Sequence, residues 1–240
     1  PEKSYNANLN YIKKIYRPDG TFIGLELTGW YTYFNNRIIA DYDSDPNKII
    51  YDNLDGFAES MGMSLNADIA LSNGLKLLAG ATYMNVSTVE NGRREQQILT
   101  EKFTGTWALS YKIKRLNLAI DYTGNIYGPM RLPLLGKFDP RQAYSPTWSI
   151  QNIQFVYTGF KYIEVFGGIK NLLNWTPNKN NPFIIARTED PFDKTVEYDA
   201  NGQVKATPNN PFALTFDPSY VYAPNQGIRG FAGMRITIKK

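Results

Sequence analysis

The sequence predicts an antiparallel all-β chain of about nine strands that forms part of a transmembrane β-barrel. Three observations carry this. First, apolar residues alternate with polar or small ones in stretch after stretch, the period of a strand with one greasy and one wet face. In 228–238, for example, Ala232, Met234, Ile236 and Ile238 share one side, and Gly233, Arg235 and Thr237 share the other. Second, short and long connections alternate along the chain, the asymmetry of barrels with tight turns at one rim and loops at the other. Third, no segment has helical periodicity and no run of about 18 apolar residues exists, so a transmembrane helix is excluded.

Each element has its own signature. Residues 4–16 set Tyr5, Ala7, Leu9 and Tyr11 against Asn6, Asn8 and Asn10. Three amides on one strand face are costly in a dry core and natural against water. Arg17-Pro18-Asp19-Gly20 is a tight turn, with Pro fixing φ and Gly supplying a positive one. Residues 21–34 return, with Ile23, Leu25, Leu27, Tyr31 and Tyr33 on one face. A long polar connection, 35–55, leads to 57–71, which sets Met61, Met63, Leu65, Ala67 and Ile69 against Ser60, Ser64, Asn66 and Asp68. Ser72-Asn73-Gly74 carries the Asn-Gly pair favoured in hairpins, and 75–86 follows. A charged connection, 87–100, precedes the strand 103–113, and a short turn at Lys114-Arg115 gives 116–125. After a proline-rich loop come 147–158 and 162–170, joined by Gly159-Phe160-Lys161. The longest connection, 171–225, holds one expected small hairpin, 195–199 with 203–207, before the last strand at 228–238.

Composition narrows the function. A charged fraction of 20% and a mean hydropathy of −0.39 are those of an average soluble chain, but a barrel with a polar lumen has the same average. Aromatics reach 14%, which suits strands and interfacial girdles alike. The apolar faces carry Tyr5, Tyr11, Tyr31, Tyr33, Tyr83, Trp107, Tyr111, Tyr122 and Tyr157, in a bilayer the aromatic belt. The chain has no Cys and no His, which removes thiolate sites, the commonest metal ligand and the usual general base. With no nucleophile motif either, no catalytic residue, cofactor or metal site is expected, and the chain is not expected to be an enzyme. The net charge of +4 is spread over the length and leaves no nucleic-acid footprint. Asp41, Asp43, Asp45 and Asp52 mimic a calcium loop, but Pro46 stands where such a loop needs Gly, so a solvated acidic loop is expected.

The residues also resemble a family. Pro1 to Tyr11 resembles the strand of TonB-dependent outer-membrane receptors that opens Pro-Glu-x-Ser. Val165-Phe166-Gly167-Gly168-Ile169-Lys170-Asn171-Leu172-Leu173-Asn174 resembles their penultimate strand with its Asn-Leu-Phe/Leu-Asn box, and Tyr222 to Gly233 is similar to the lead into their last strand. The motifs stand in family order, and the loops look most like those of Bacteroidetes receptors. The resemblance implies that residues 1–240 are the C-terminal part of the barrel, matching the last nine of 22 strands. An N-terminal plug and the first barrel strands would be absent from this chain. The implied function is import of a metal chelate, cobalamin or an oligosaccharide across the bacterial outer membrane. Its implied partners are outer-membrane lipid, the plug, the remaining strands and TonB.

Cargo contact is expected in the long loops, where Arg131, Lys137, Arg141, Trp175 and Arg187 offer charge and stacking to an anionic or aromatic ligand. The alternative to the whole reading is a soluble cell-surface β-sandwich that binds glycan or protein. Such a sandwich buries Leu25, Leu65, Leu109 and Ile120 against a second sheet, whereas a barrel wall presents them outward.

Overall fold

The computed structural model describes residues 2–41, 50–90, 92–132, 142–177, 197, 199–200, 205, 207–208, 223–224 and 226–238. Twelve strands are seen: β1 (Lys3–Tyr16), β2 (Phe22–Asn36), β3 (Ile38–Asp41), β4 (Ile50–Asn53), β5 (Gly56–Ala70), β6 (Leu75–Glu90), β7 (Arg93–Gln96), β8 (Phe103–Ile113), β9 (Leu118–Tyr127), β10 (Trp148–Tyr157), β11 (Ile163–Lys170) and β12 (Arg229–Ile236). Nine of them form one wall in sequence order, β1-β2-β5-β6-β8-β9-β10-β11-β12, every neighbour antiparallel. All nine expected strands are present. β1 and β12 are the two edges, and no pairing joins them among the described residues.

The registers sort every wall residue to one of two faces. One row runs Tyr11, Leu27, Leu65, Ala81, Gly105, Ile126 across six strands. The neighbouring row, one residue along each strand, runs Asn10, Thr28, Ser64, Thr82, Thr104 and then Tyr127 and Trp148. A one-residue slip would exchange the two sets, so the alternation itself pins the pairing. Large aromatics lie flat where a neighbour has no side chain: Trp107 covers Gly124 on the apolar face, and Trp30 covers Gly62 on the polar one.

Among the described residues nothing is packed on the apolar face. Leu65 is 51% exposed and Leu25 38%, while Leu109 and Ile120 are half-buried. A sandwich would bury all four, and it buries none. The chain exposes 15670 Å², against about 10,900 Å² for a compact monomer of its mass. The few buried apolar side chains described, among them Leu54, Ala58, Met130, Leu132 and Trp148, sit in the long connections or at the strand ends that meet them.

The polar face is the concave one. A hollow of about 590 Å³ spans five strands on it, with Phe22, Glu26, Asn66, Asp68 and Thr106 in its lining. Amides and hydroxyls pair along this face: Asn10 donates to Glu26 (2.7 Å), Thr32 to Asn6 (2.8 Å), and Trp30 to Ser60 (3.4 Å).

Three short strands were not expected. The connection 35–55 contains the β3–β4 hairpin, with Ile39 opposite Asp52 and Asp41 opposite Ile50. Asp41 and Asp52 are therefore strand positions, and the calcium-like spacing does not describe one loop; Asp43 and Asp45 lie outside the described residues. β6 runs on to Glu90, and β7 pairs back on it from Gln96 opposite Ser87 to Arg93 opposite Glu90. Charge in Arg93-Arg94-Glu95 masked a hairpin whose β-branched partner residues, Thr88 and Val89, favour extension. The expected hairpin 195–207 falls mostly outside the described residues; one rung, from Lys205 N–H to the Glu197 carbonyl (2.7 Å), is seen.

The short turns follow their chemistry. Gly20 and Gly74 hold φ of 85° and 92°, values that a side chain would strain. In the first turn the Asp19 carboxylate accepts Thr21 N–H (2.9 Å) and Thr21 Oγ1–H (3.1 Å). These two bonds hold its pKa below the usual carboxylate value. A depressed pKa means that the contribution is complete above the ordinary value and is lost as pH falls through the lowered one. Protection of the Thr21 amide from hydrogen exchange should thus be constant above about pH 4 and fall in stronger acid. In Asp19→Ala it should be low at every pH.

Candidate ligand-facing rim

Because the wall is a simple meander, all four long connections emerge at one rim, and the tight turns 17–21, 71–74, 114–117 and 158–162 lie at the other. The long-connection rim is laced together. Arg37 Nη1 donates to Gln97 Oε1 (2.9 Å), tying the connection after β2 to that after β6. The connection after β9 folds back on itself: Met130 N–H reaches Ser145 Oγ (3.0 Å), Ser145 N–H reaches the Met130 carbonyl (2.9 Å), and Leu132 N–H reaches Ala143 (2.9 Å). Leu99 N–H then bonds the Arg131 carbonyl (2.8 Å), joining the third connection to the second.

On the concave side of this rim stands a stack of three aromatic rings. Tyr127 and Trp148 lie 4.4 Å apart at 23°, and Trp148 and Trp175 lie 5.0 Å apart at 14°. Their positions follow from register: Tyr127 and Trp148 are cross-strand partners on β9 and β10, and Trp175 is brought over them by the turn after β11. Met130 and Ala223 pack against the same cluster. Trp148 is buried, and its indole N–H has no acceptor among the described residues.

That turn is built on Asn171 and Asn174, both in the left-handed region at φ 53° and 48°. Asn is the non-glycine residue that best tolerates this conformation. Asn171 is 4% exposed and uses its whole amide. Its Oδ1 accepts Trp175 N–H (3.0 Å), and its Nδ2 donates to the carbonyls of Trp175 (2.7 Å) and Gln226 (2.9 Å). Its own N–H donates to Asn152 Oδ1 (3.0 Å) on β10. Asn174 Oδ1 accepts Ile228 N–H (3.0 Å). One residue thus fixes β10 through its backbone N–H, and the turn after β11 and the lead into β12 through its side chain.

Of the five residues expected to face cargo, Arg131 and Trp175 are described and both belong to this rim. Arg131 bridges to Glu95 Oε2 (2.9 Å) and donates to the Gln96 carbonyl (3.3 Å). Both partners are partly exposed, so the pair is worth less than about 1 kcal/mol. Lys137, Arg141 and Arg187 lie outside the described residues. Sequence reasoning did not single out Tyr127, Trp148 or Asn171 as functional. The Asn171–Asn174 spacing was the available signal, since two Asn three apart at a strand end mark paired left-handed positions.

Asn171→Ala should lower the unfolding free energy by about 1–3 kcal/mol, the cost of stranding buried polar partners. Asn171→Gly should tolerate the backbone angle but lose the same bonds. Denaturant midpoints, together with protease cleavage near 226–228, measure both.

No protein-family model and no curated protein sequence matches the chain. Solved structures do match. The ferric-catecholate import receptor Fiu from Escherichia coli K12, in its closed form, aligns with a TM-score of 0.55 at 12% identity, over 73% of this chain and 24% of that one. The pyoverdine outer-membrane receptor FpvA from Pseudomonas aeruginosa PAO1 aligns at 0.55 with 18% identity, over 72% and 26%. The copper transporter OprC aligns at 0.55 with 15% identity, over 76% and 27%. The chain spans about a quarter of the length of these receptors. Its nine-strand antiparallel wall has the fold of part of a TonB-dependent outer-membrane receptor barrel.

Proposed function

We propose that this chain is a wall segment of an outer-membrane receptor that imports a scarce nutrient and performs no catalysis. The observation that carries the reading is the wall itself, one layer thick, with an apolar face unopposed among the described residues and a hydrogen-bonded concave one. A soluble sheet would leave that apolar face in water, at about 25 cal/mol per Å². In a bilayer the same face meets hydrocarbon.

The aromatic spacing supports this. Tyr5, Tyr31, Tyr33, Tyr83 and Phe103 lie toward the long connections, and Tyr111 and Tyr157 toward the short turns, all on the apolar face. Phe103 and Tyr111 are eight residues apart on β8, or about 27 Å at 3.4 Å per residue. A strand tilted by about 40° then spans about 20 Å between belts, close to the apolar band of roughly 25 Å in such barrels. Trp107 and Tyr122 are mid-wall; they pair at 6.2 Å, and the Tyr122 hydroxyl finds Gln151 Oε1 at 2.7 Å.

In this reading the nine strands are the last nine of a 22-stranded barrel. The concave Asn, Thr and Glu side chains meet a plug domain on which TonB acts. The long-connection rim faces outward, and Arg131, Lys137, Arg141, Trp175 and Arg187 are the proposed cargo contacts. A metal chelate is the cargo best supported by the likeness to Fiu and FpvA, ahead of cobalamin or an oligosaccharide.

The purified chain should stay in solution only with detergent or lipid; a monodisperse species without either overturns the membrane reading. In the lipid-inserted protein, Leu65→Arg on the apolar face should cost about 2–4 kcal/mol. Ser64→Arg, one residue along but on the concave face, should cost under about 1 kcal/mol. Equal costs would contradict the two-faced wall.

A further inference from the structure

The two rims differ in charge. The four tight turns, 17–21, 71–74, 114–117 and 158–162, carry four cations, Arg17, Lys114, Arg115 and Lys161, and one anion, Asp19. The four long connections, 37–55, 91–102, 128–147 and 171–228, together carry twelve cations and fourteen anions. The turn rim is basic, whereas the opposite rim is slightly acidic. All four turn cations are exposed, and none is in an ion pair among the described residues. Asp19 is already engaged by Thr21. Lys13 and Lys76, both exposed, extend the basic rim into the adjoining strand ends.

These cations alternate with exposed apolar tips. Leu116 is 58% exposed directly after Arg115, and Phe160 is 56% exposed directly before Lys161. Lys161 Nζ lies 5.2 Å from the Tyr162 ring centroid. The Tyr157 and Phe160 rings meet edge to face at 5.4 Å beside it. Free cations with apolar and aromatic side chains between them, set at the border of an unopposed apolar face, are the pattern that seats a protein at the headgroups of an anionic leaflet.

We propose that the turn rim binds the phosphates of anionic phospholipids in the leaflet it meets, through Arg17, Lys114, Arg115 and Lys161. Leu116 and Phe160 enter the acyl boundary between them. The complementarity of charge and the continuity of the basic rim with the apolar face favour a lipid over a soluble polyanion, which would use the charge but not the buried tips. Each cation near such a surface contributes roughly fivefold in association. The inference rests on the membrane reading above.

The test incorporates the protein into nanodiscs of phosphatidylcholine containing a minor fraction of spin-labelled phosphatidylglycerol or spin-labelled phosphatidylcholine. Wild type should hold the anionic label preferentially, with the preference falling as salt rises. A variant with Arg17, Lys114, Arg115 and Lys161 all changed to Gln should lose roughly tenfold or more of it. A control with Lys3, Arg93 and Arg229 at the opposite rim changed to Gln should keep it. Incorporation without headgroup preference, or equal loss in both variants, overturns this inference and leaves the membrane reading standing. Binding of soluble heparin that matches the anionic label and ignores Leu116→Ser with Phe160→Ser assigns the rim to a polyanion and also overturns it. Failure to enter nanodiscs at all overturns both.

Discussion

Everything in this molecule depends on a sheet that is one layer thick and, among the described residues, has nothing against its apolar face. A strand pair satisfies its own backbone, so hydrogen bonding accounts for the ladder from β1 to β12 but not for which face points which way. Side-chain burial, the usual source of stability, is concentrated in a few residues under the long connections. In the proposed membrane reading, the row through Leu27, Leu65 and Ile126 is buried by lipid. In that reading the lipid, and not a second protein layer, selects which face points which way.

The rim with the long connections is held differently. There the chain builds small, well-satisfied polar joints: Asn171 with its four bonds, Ser145 with Met130, and Arg131 with Glu95. Asn171 is the most connected. Its left-handed backbone turns the chain out of β11, and its amide then receives the returning segment 55 residues later. The aromatic stack of Tyr127, Trp148 and Trp175 is positioned by the same turn. The proposed cargo surface on this rim would therefore have a hydrogen-bonded base, a condition for placing loop side chains accurately.

Much of this was legible in the residues, and what was not has definite causes. The two-residue period of 4–16 or 57–71 can be read without coordinates, because a strand places alternate side chains on opposite faces whatever its neighbours. The turns at Pro18-Asp19-Gly20 and Asn73-Gly74 are legible because local dihedral preference decides them. The β3–β4 hairpin and β7 were not, since four-residue strands carry too few positions for a period and their charges suggested solvent. Trp107 and Tyr122 read as belt residues but stand mid-wall, because depth is set by the stagger of neighbouring strands, which periodicity does not contain. The stack at Trp148 was invisible for a similar reason: Tyr127 and Trp148 meet through register, and Trp175 arrives through a turn.

The amino-acid sequence alone determined that the chain is a meander of about nine amphipathic strands with tight turns at one end and long connections at the other. Those properties follow from dihedral preference and side-chain alternation, both local. Only the tertiary structure decided that the apolar rows form one continuous, unopposed face, that the hollow lies on the polar side, and that Asn171 joins β10 to the approach of β12. These are facts of register and curvature, and each depends on residues far apart in the chain being brought level by pairing.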